Sequence, residues 1–184
     1  MRCRDTNKQQ RIKEAVVQLI LREGLSGLSM NKIAKEAGVS PATIYIYYEN
    51  KEQMLADIFR DYANRAYDYL FLQLRSDMGG AELIDTLIRG YADYIVNYPE
   101  EFGFVEQCSK CPTLAGECSE EDGVCRIFAL LHRYQQEHIL KPFCDMNIAA
   151  VLFYPVRFVA MDSSSMRQER LDELIHMMQE LLLC

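Results

Sequence analysis

The chain has 184 residues, of which 49% are hydrophobic and 26% charged, and its formal net charge is −7. This length and apolar content indicate a globular protein of one or two domains with a proper hydrophobic core. The longest apolar stretch, residues 148–156, is far shorter than the roughly 20 residues that a membrane-spanning helix needs. The first apolar segment is interrupted by charged residues, unlike a secretory signal. We therefore expect a cytoplasmic protein with no membrane partner.

Charge is distributed unevenly along the chain. Residues 1–51 contain nine Lys or Arg and five Asp or Glu, a net charge of +4, whereas residues 52–184 contain 11 basic and 22 acidic residues, a net charge of −11. Such asymmetry is typical of a basic head that meets a polyanion and an acidic body that avoids it. Chance variation over short windows gives the same pattern, so charge alone leaves both explanations open.

Hydrophobic periodicity predicts an all-α protein, because apolar residues recur at helical spacing and the period-two alternation of a strand is absent. The first helix is indicated by Ile12, Ala15, Val16, Leu19 and Ile20, which share one helical face. We expect this helix to end at Gly24. A second, short helix is predicted between a cap at Ser29 and a stop at Gly38.

The third and fourth helices have clear start signals. Ser40 is predicted to cap the third, with Pro41 at its first position, where the missing N–H costs no hydrogen bond. Asn50 is predicted to cap a fourth helix that runs to Met78 and is long enough to act as a lever.

Later helices are predicted over residues 81–98, 100–108 and 122–139, and Asp145 and Ser165 are expected to cap the last two. These last two helices are apolar on more than one face, which indicates burial against a second subunit.

The second and third helices are predicted to form a helix-turn-helix through the turn at residues 37–40. Ile44 and Tyr48 lie four residues apart on the third helix, and we expect both to face the core. The outer surface then carries Pro41, Ala42, Thr43, Tyr45, Ile46 and Tyr47. Either a further helix covers this apolar surface, or it inserts into the major groove of DNA. On this basis residues 1–50 form a head domain and residues 51–184 a helical body.

Spaced identities across these helices carry a family resemblance. They are Ile33-Ala34, Ala37-Gly38-Val39-Ser40, Thr43-Ile44-Tyr45, Tyr47-Tyr48, Asn50-Lys51-Glu52 and Leu55. This run, over about residues 10–58, resembles the tetracycline-repressor (TetR) family of bacterial regulators. The resemblance implies a DNA-binding head of three helices and a helical body that binds a ligand and dimerises.

The resemblance also implies roles for individual residues. Thr43, Tyr45, Lys51 and Ser29 look like contacts to the DNA backbone, and the residues that face the bases are Pro41, Ala42, Ile46 and Tyr47. A phosphate contact at Lys51 agrees with its place in the first turn of the fourth helix, where the helix dipole also attracts anions. The alternative for Lys51 is a solvated surface lysine.

Base readout is restricted by the residue types of the third helix. Residues 41–47 include no Arg, Lys, Asn or Gln, so bidentate hydrogen bonds to guanine or adenine are excluded there. We expect thymine methyl groups to contact Ala42 or Ile46, and Arg2 or Arg4 to reach a narrow minor groove as an N-terminal arm.

The expected partners follow from this reading. One head makes too few contacts for tight binding, so a homodimer through the last two helices is expected on a palindromic double-stranded DNA operator. The resemblance implies that an unidentified small-molecule inducer, held in the body, lowers operator affinity; repression is expected by analogy with the family. No enzyme activity and no cofactor are expected, because the sequence has no phosphate-binding glycine loop, zinc-protease motif or nucleophile elbow.

Two sets of body residues are candidates for sensing. An apolar ligand pocket is predicted around Tyr91, Tyr94, Phe104, Phe128, Phe153 and Arg157. Cys108, Cys111, Cys118 and Cys125 form a C-x2-C-x6-C-x6-C cluster. These thiols are either inert, a metal site or a redox sensor. The remaining alternative is a metal-binding scaffold or an enzyme with an incidental helix-turn-helix.

Overall fold

The structure is a computed structural model that describes residues 6–111 and 122–184. Within these ranges the chain forms nine α-helices and one short 3-10 helix. Their bounds are α1 Thr6–Glu23, the 3-10 helix Leu25–Gly27, α2 Met30–Ala37, α3 Pro41–Tyr47, α4 Lys51–Phe71, α5 Gly80–Asn97, α6 Pro99–Ser109, α7 Gly123–Gln136, α8 Asp145–Ala160 and α9 Arg167–Leu182. The prediction of an all-α protein is confirmed. None of the described helices is long and apolar enough to cross a membrane.

The described residues divide into two compact units. The first unit contains residues 6–63 and 100–111, and the second contains residues 64–99 and 122–184. The division falls within α4, after Ala63. The boundary predicted between residues 50 and 51 separates a DNA-binding head from a regulatory body. This functional division remains a prediction.

The core of the first unit is built from α1, α2, α3, the beginning of α4 and most of α6. Fully buried apolar residues from these helices include Ile12, Ile33, Ile44, Met54 and Phe104. Phe104 packs edge-on against Tyr62, with ring centroids 5.5 Å apart. This unit therefore holds the helix-turn-helix in a continuous apolar core.

In the second unit, α5 packs against α8 and α9, and α7 packs against α8. Leu87, Ile88, Leu152 and Val156 are completely buried. The hydroxyl of buried Tyr134 donates a 2.8 Å hydrogen bond to the carbonyl of Met78, so the polar end of this large side chain is satisfied.

Four predicted boundaries are wrong, and one of them is the end of α7, which lies at Gln136 instead of residue 139. α4 ends at Phe71 instead of Met78. The side chain of Gln73 donates a hydrogen bond to the carbonyl of Tyr69, and the backbone N–H of Gln73 donates one to the carbonyl of Leu70. These two hydrogen bonds tighten and close the last turn of the helix. Asp145 is the first residue of α8 and not its cap, and α9 begins at Arg167, after Met166 instead of Ser165.

Candidate nucleic-acid interface

The turn between α2 and α3 has the geometry that its sequence predicts. Gly38 adopts a left-handed conformation with φ 64° and ψ 39°, which glycine tolerates without a steric penalty. The hydroxyl of Ser29 accepts a hydrogen bond from the backbone of Lys32 and caps α2. The hydroxyl of Ser40 accepts one from the backbone of Thr43 and caps α3, with Pro41 at its first position. These four local predictions are confirmed.

The two sides of α3 face different environments. Ile44 is 0% exposed and Tyr48 is 3% exposed, and burial raises the pKa of the Tyr48 phenol above its ordinary value. Tyr45 is 55% exposed and Ile46 is 46% exposed. The described part of the chain thus leaves the outer side of α3 open, and no described helix covers it.

The remaining residues of α3 that are predicted to contact DNA differ in exposure. Pro41 and Ala42 are exposed, whereas Thr43 and Tyr47 are partly buried. The side chain of Tyr47 packs against the core of the first unit, and the hydroxyl of Thr43 lies 2.9 Å from that of Ser40. α3 therefore presents Pro41, Ala42, Tyr45 and Ile46 most openly.

Lys51 connects the start of α4 to the chain before α2. Its ammonium group donates a 3.0 Å hydrogen bond to the carbonyl of Leu28, and the neighbouring Ser29 caps α2. The side chain of Asn50 accepts a 2.8 Å hydrogen bond from the backbone of Gln53 and caps α4, as predicted. The hydrogen bond to Leu28 therefore holds the Lys51 ammonium group beside the start of α2. No sequence pattern indicates this contact.

Further ion pairs brace the helix-turn-helix. Lys13 on α1 contacts Asp61 on α4 at 2.6 Å. Glu23 accepts a 2.6 Å hydrogen bond from Lys32, and this bond lowers the pKa of the Glu23 carboxyl below its ordinary value. We did not predict these contacts, because each joins residues too far apart in sequence for a periodic signal. Arg2 and Arg4 lie outside the described residues.

The predicted ligand-binding residues are not all brought together. Tyr91 and Phe153 pack edge-on with centroids 5.1 Å apart, and Tyr94 is buried within the second unit. Phe104 instead belongs to the core of the first unit, and Arg157 stacks over the ring of Tyr154, 4.9 Å from its centroid. Phe128 on α7 is partly buried.

A groove of about 140 Å³ on the second unit contains Phe143, Asn147 and Leu181 in its wall and none of the residues predicted to bind a ligand. The ligand-site assignment remains a prediction.

The predicted cysteine cluster is only partly described. Cys108 and Cys111 belong to the first unit and Cys125 to the second, while Cys118 lies outside the described residues. Among residues 6–111 and 122–184, no three His, Cys, Asp or Glu side chains are grouped as a metal site would require.

Comparison with known proteins gives a family match at the helix-turn-helix. Residues 12–58 match the model for bacterial regulatory proteins of the tetR family. An uncharacterized HTH-type transcriptional regulator of Haemophilus influenzae is 39% identical over 77 residues, which are 42% of this chain and 39% of that protein. The fatty acid metabolism regulator protein of Bacillus subtilis is 41% identical over 54 residues, which are 29% of this chain and 28% of that protein. The chain thus covers well under two thirds of the length of these relatives.

Solved structures extend the likeness in fold to the whole chain. A TetR family transcription regulator from Marinobacter aquaeolei superposes with a TM-score of 0.81 at 24% identity, covering 100% of this chain and 99% of that one. A TetR-family transcriptional regulator from Haemophilus influenzae gives a TM-score of 0.81 at 21% identity, covering 97% and 98%. At these identities the structural likeness shows the fold alone. Residues 12–58 of this chain are similar to bacterial regulatory proteins of the tetR family.

Proposed function

We propose that this protein is a DNA-binding transcriptional regulator, in which α3 reads the major groove of a double-stranded operator. The single observation that carries this proposal is the open outer side of α3, on which Tyr45 is 55% exposed and Ile46 is 46% exposed. Tyr45 and Ile46 are adjacent, and contiguous exposed apolar surface of this kind marks a binding surface. A helix of this size fits the major groove of B-form DNA.

Contacts to the DNA backbone supply most of the binding affinity in this proposal. Ser29 and Lys51 lie next to each other through the contact of Lys51 with the carbonyl of Leu28, at the N-terminal ends of α2 and α4. The positive end of the helix dipole at each of these two helix starts favours a phosphate. Thr43 and Tyr45 supply hydroxyl groups for further contacts to the DNA backbone.

Base selection in this proposal depends on apolar contacts. Ala42 or Ile46 contacts thymine methyl groups, Pro41 and Tyr47 also face the bases, and Arg2 or Arg4 reaches into a narrow minor groove. Operators with A·T base pairs opposite α3 should therefore bind more tightly than those with G·C pairs.

The proposal includes a homodimer formed through α8 and α9. Ile148, Leu152 and Val156 bury one side of α8 within the second unit. The opposite side leaves Tyr154 63% and Phe158 78% exposed. A second copy of the chain can cover this apolar side, and the twofold axis of the pair would match a palindromic operator.

Ligand control in this proposal acts through α4. The first turn of α7 contacts four α4 residues that share one side of the helix: Asn64, Tyr67, Asp68 and Phe71. The backbone N–H of Gly123 donates to the Asn64 side chain at 2.9 Å, and Arg126 pairs with Asp68 at 2.6 Å and lies 4.0 Å from the centroid of the Phe71 ring. A ligand that shifts α7 would therefore displace α4, whose beginning lies in the first unit.

The experiment that tests this function is selection of duplexes from a random DNA library by the purified protein, followed by binding measurements at several salt concentrations. The proposal expects a palindromic consensus, bound at least about 10³-fold more tightly than random DNA. It also expects log Kd to rise with log salt, because basic residues displace counterions from phosphates. Recovery of random sequence with no enrichment would contradict it.

A further inference from the structure

Two thiols of the cysteine cluster, Cys108 and Cys111, lie in or against the core that supports α3. Cys108, in the last turn of α6, is 0% exposed and shares one apolar cluster with Ile12 and Ile44. Cys111 follows the end of α6 and packs against the same cluster while remaining partly exposed. The pair is therefore part of the first unit, next to the helices that are proposed to bind DNA.

The two cysteines are neighbours in one turn, but a disulfide between them requires a local movement. The backbone N–H of Cys111 donates a 2.9 Å hydrogen bond to the carbonyl of Cys108, so both residues belong to one tight turn. Side chains three residues apart in such a turn have β-carbons roughly 5–6 Å apart, whereas a disulfide needs about 3.5–4.5 Å. A disulfide can therefore form only if the backbone of this turn shifts, which draws Cys108 out of its apolar packing toward Cys111.

Exposure and charge determine which thiol reacts first. A dissolved oxidant reaches Cys111, but Cys108 has no surface available to it. Burial, together with the nearby Cys111, raises the pKa of the Cys108 thiol to about 12, so this thiol is protonated at neutral pH. Since the thiolate is the nucleophile, Cys111 reacts first and Cys108 second.

We propose that Cys108 and Cys111 form a redox-sensitive dithiol, and that its oxidation by a low-molecular-weight disulfide unpacks α6 from the core of the first unit and weakens DNA binding. The effect on DNA rests on the function proposed above. The effect on the core does not, because the packing of Cys108 is independent of any DNA contact.

The reaction consumes one external disulfide per protein chain. The Cys111 thiolate attacks one sulfur of the external disulfide, forming a mixed disulfide and releasing one thiolate. Cys108 then loses its proton to solvent and attacks the Cys111 sulfur, forming the protein disulfide and releasing the second thiolate. The dithiol loses two electrons and two protons, and the external disulfide is reduced to two thiols.

The structural consequence is a defect in the first unit. Withdrawing the Cys108 side chain empties a completely buried position in the cluster that also holds Phe104 and Tyr62. Neighbouring side chains in a close-packed core relax only partly around such a vacancy. We therefore expect faster opening of α1 and α3 in the oxidised protein.

The test uses two full-length variants. In the first, Cys3, Cys118, Cys125, Cys144 and Cys184 are replaced by Ser, which leaves only the pair; the matched control carries Cys111→Ser in addition. Both are incubated with oxidised glutathione and then with dithiothreitol. The measurements are intact mass, amide hydrogen exchange of α1 and α3, and Kd for a duplex selected by the reduced protein.

The proposal expects the pair variant to lose two hydrogen atoms in mass, to exchange faster in α1 and α3, and to bind DNA about 5- to 150-fold more weakly, the range typical of coupling between sites. Dithiothreitol should reverse all three changes, and the control should show none of them. An oxidised pair with unchanged exchange, or a pair that yields only a glutathione adduct, would overturn the proposal.

Two further comparisons separate the possible failures. If the reduced protein binds no DNA selectively, the proposed function fails, while mass and exchange still test the dithiol. If the pair variant does not fold, the single variant Cys111→Ser is compared with the unmodified chain, and the disulfide is located by peptide mapping. Absence of a Cys108–Cys111 disulfide in the unmodified chain would then overturn the proposal.

Discussion

Ile44 and Ile46 lie two residues apart on α3 and face opposite environments: Ile44 is 0% exposed, and Ile46 is 46% exposed. The same residue type thus supports the core at one position and is available to a partner at the other. This pair allows the contributions of stability and recognition to be separated with one kind of substitution.

Ile44→Ala should destabilise the protein, because removing a buried isoleucine costs about 2–5 kcal/mol in a packed core. Ile46→Ala should change the free energy of unfolding by less than about 0.5 kcal/mol, as is usual for a surface substitution, yet weaken operator binding. Urea denaturation and fluorescence anisotropy with labelled duplex measure the two effects. Unchanged operator affinity in the Ile46→Ala variant would show that α3 does not contact bases there.

Lys51→Met keeps most of the side-chain stem and removes the ammonium group. If this group contacts a phosphate, the slope of log Kd against log salt should become shallower by about 1. Loss of the hydrogen bond to the Leu28 carbonyl should also cost about 1 kcal/mol of unfolding free energy. Lys110→Met is the matched control, because its side chain is 72% exposed and lies 4.0 Å from Glu106 on α6. An equal change in the slope of log Kd against log salt in both variants would show that Lys51 does not contact a phosphate.

Phe158→Glu should disrupt the proposed homodimer, because burying a carboxylate in an apolar interface costs free energy. Phe158 is 78% exposed in the single chain, so the substitution should leave the fold of the monomer intact. Leu72→Glu is the control, since Leu72 is 86% exposed and outside α8 and α9. Sedimentation should give monomers for the first variant and dimers for the second. Dimers in both variants would contradict an interface at this position.

Gly123→Ala tests the packing of α7 on α4. A β-carbon at Gly123 would overlap the side chain of Tyr67, and inserting a methyl group into a filled space typically costs about 1–3 kcal/mol. Gly79→Ala is the control, because a β-carbon there meets nothing within 4 Å. Thermal denaturation should show a lower midpoint only for the Gly123 variant. Equal midpoints for the two variants would mean that α7 does not restrain α4 at this point.

Local sequence signals were sufficient for the helix-turn-helix. Ser29, Ser40 and Asn50 cap the helices as predicted, and the four-residue spacing of Ile44 and Tyr48 identified the buried side of α3. These signals succeed because caps and amphipathic periodicity depend on residues within one or two turns.

Contacts between distant segments were not predictable in the same way. Lys51 and Leu28 are separated by 23 positions, and Lys13 and Asp61 by 48. The end of α4 was also missed, because no Gly or Pro stands between Phe71 and Met78. There the helix ends through hydrogen bonds of Gln73, a side-chain effect that periodicity does not report.

The central claim is that the outer side of α3 lies against DNA. Its most direct measurement is photocrosslinking. One protein carries benzoylphenylalanine at position 46, and a second protein carries it at position 72. Both positions are accessible, because Ile46 is 46% exposed and Leu72 is 86% exposed. Each protein is irradiated on the duplex that the unmodified chain selects. The account predicts crosslinks to operator bases from position 46 and none from position 72. Crosslinks from position 72 alone, with a retained affinity for the operator, would contradict it.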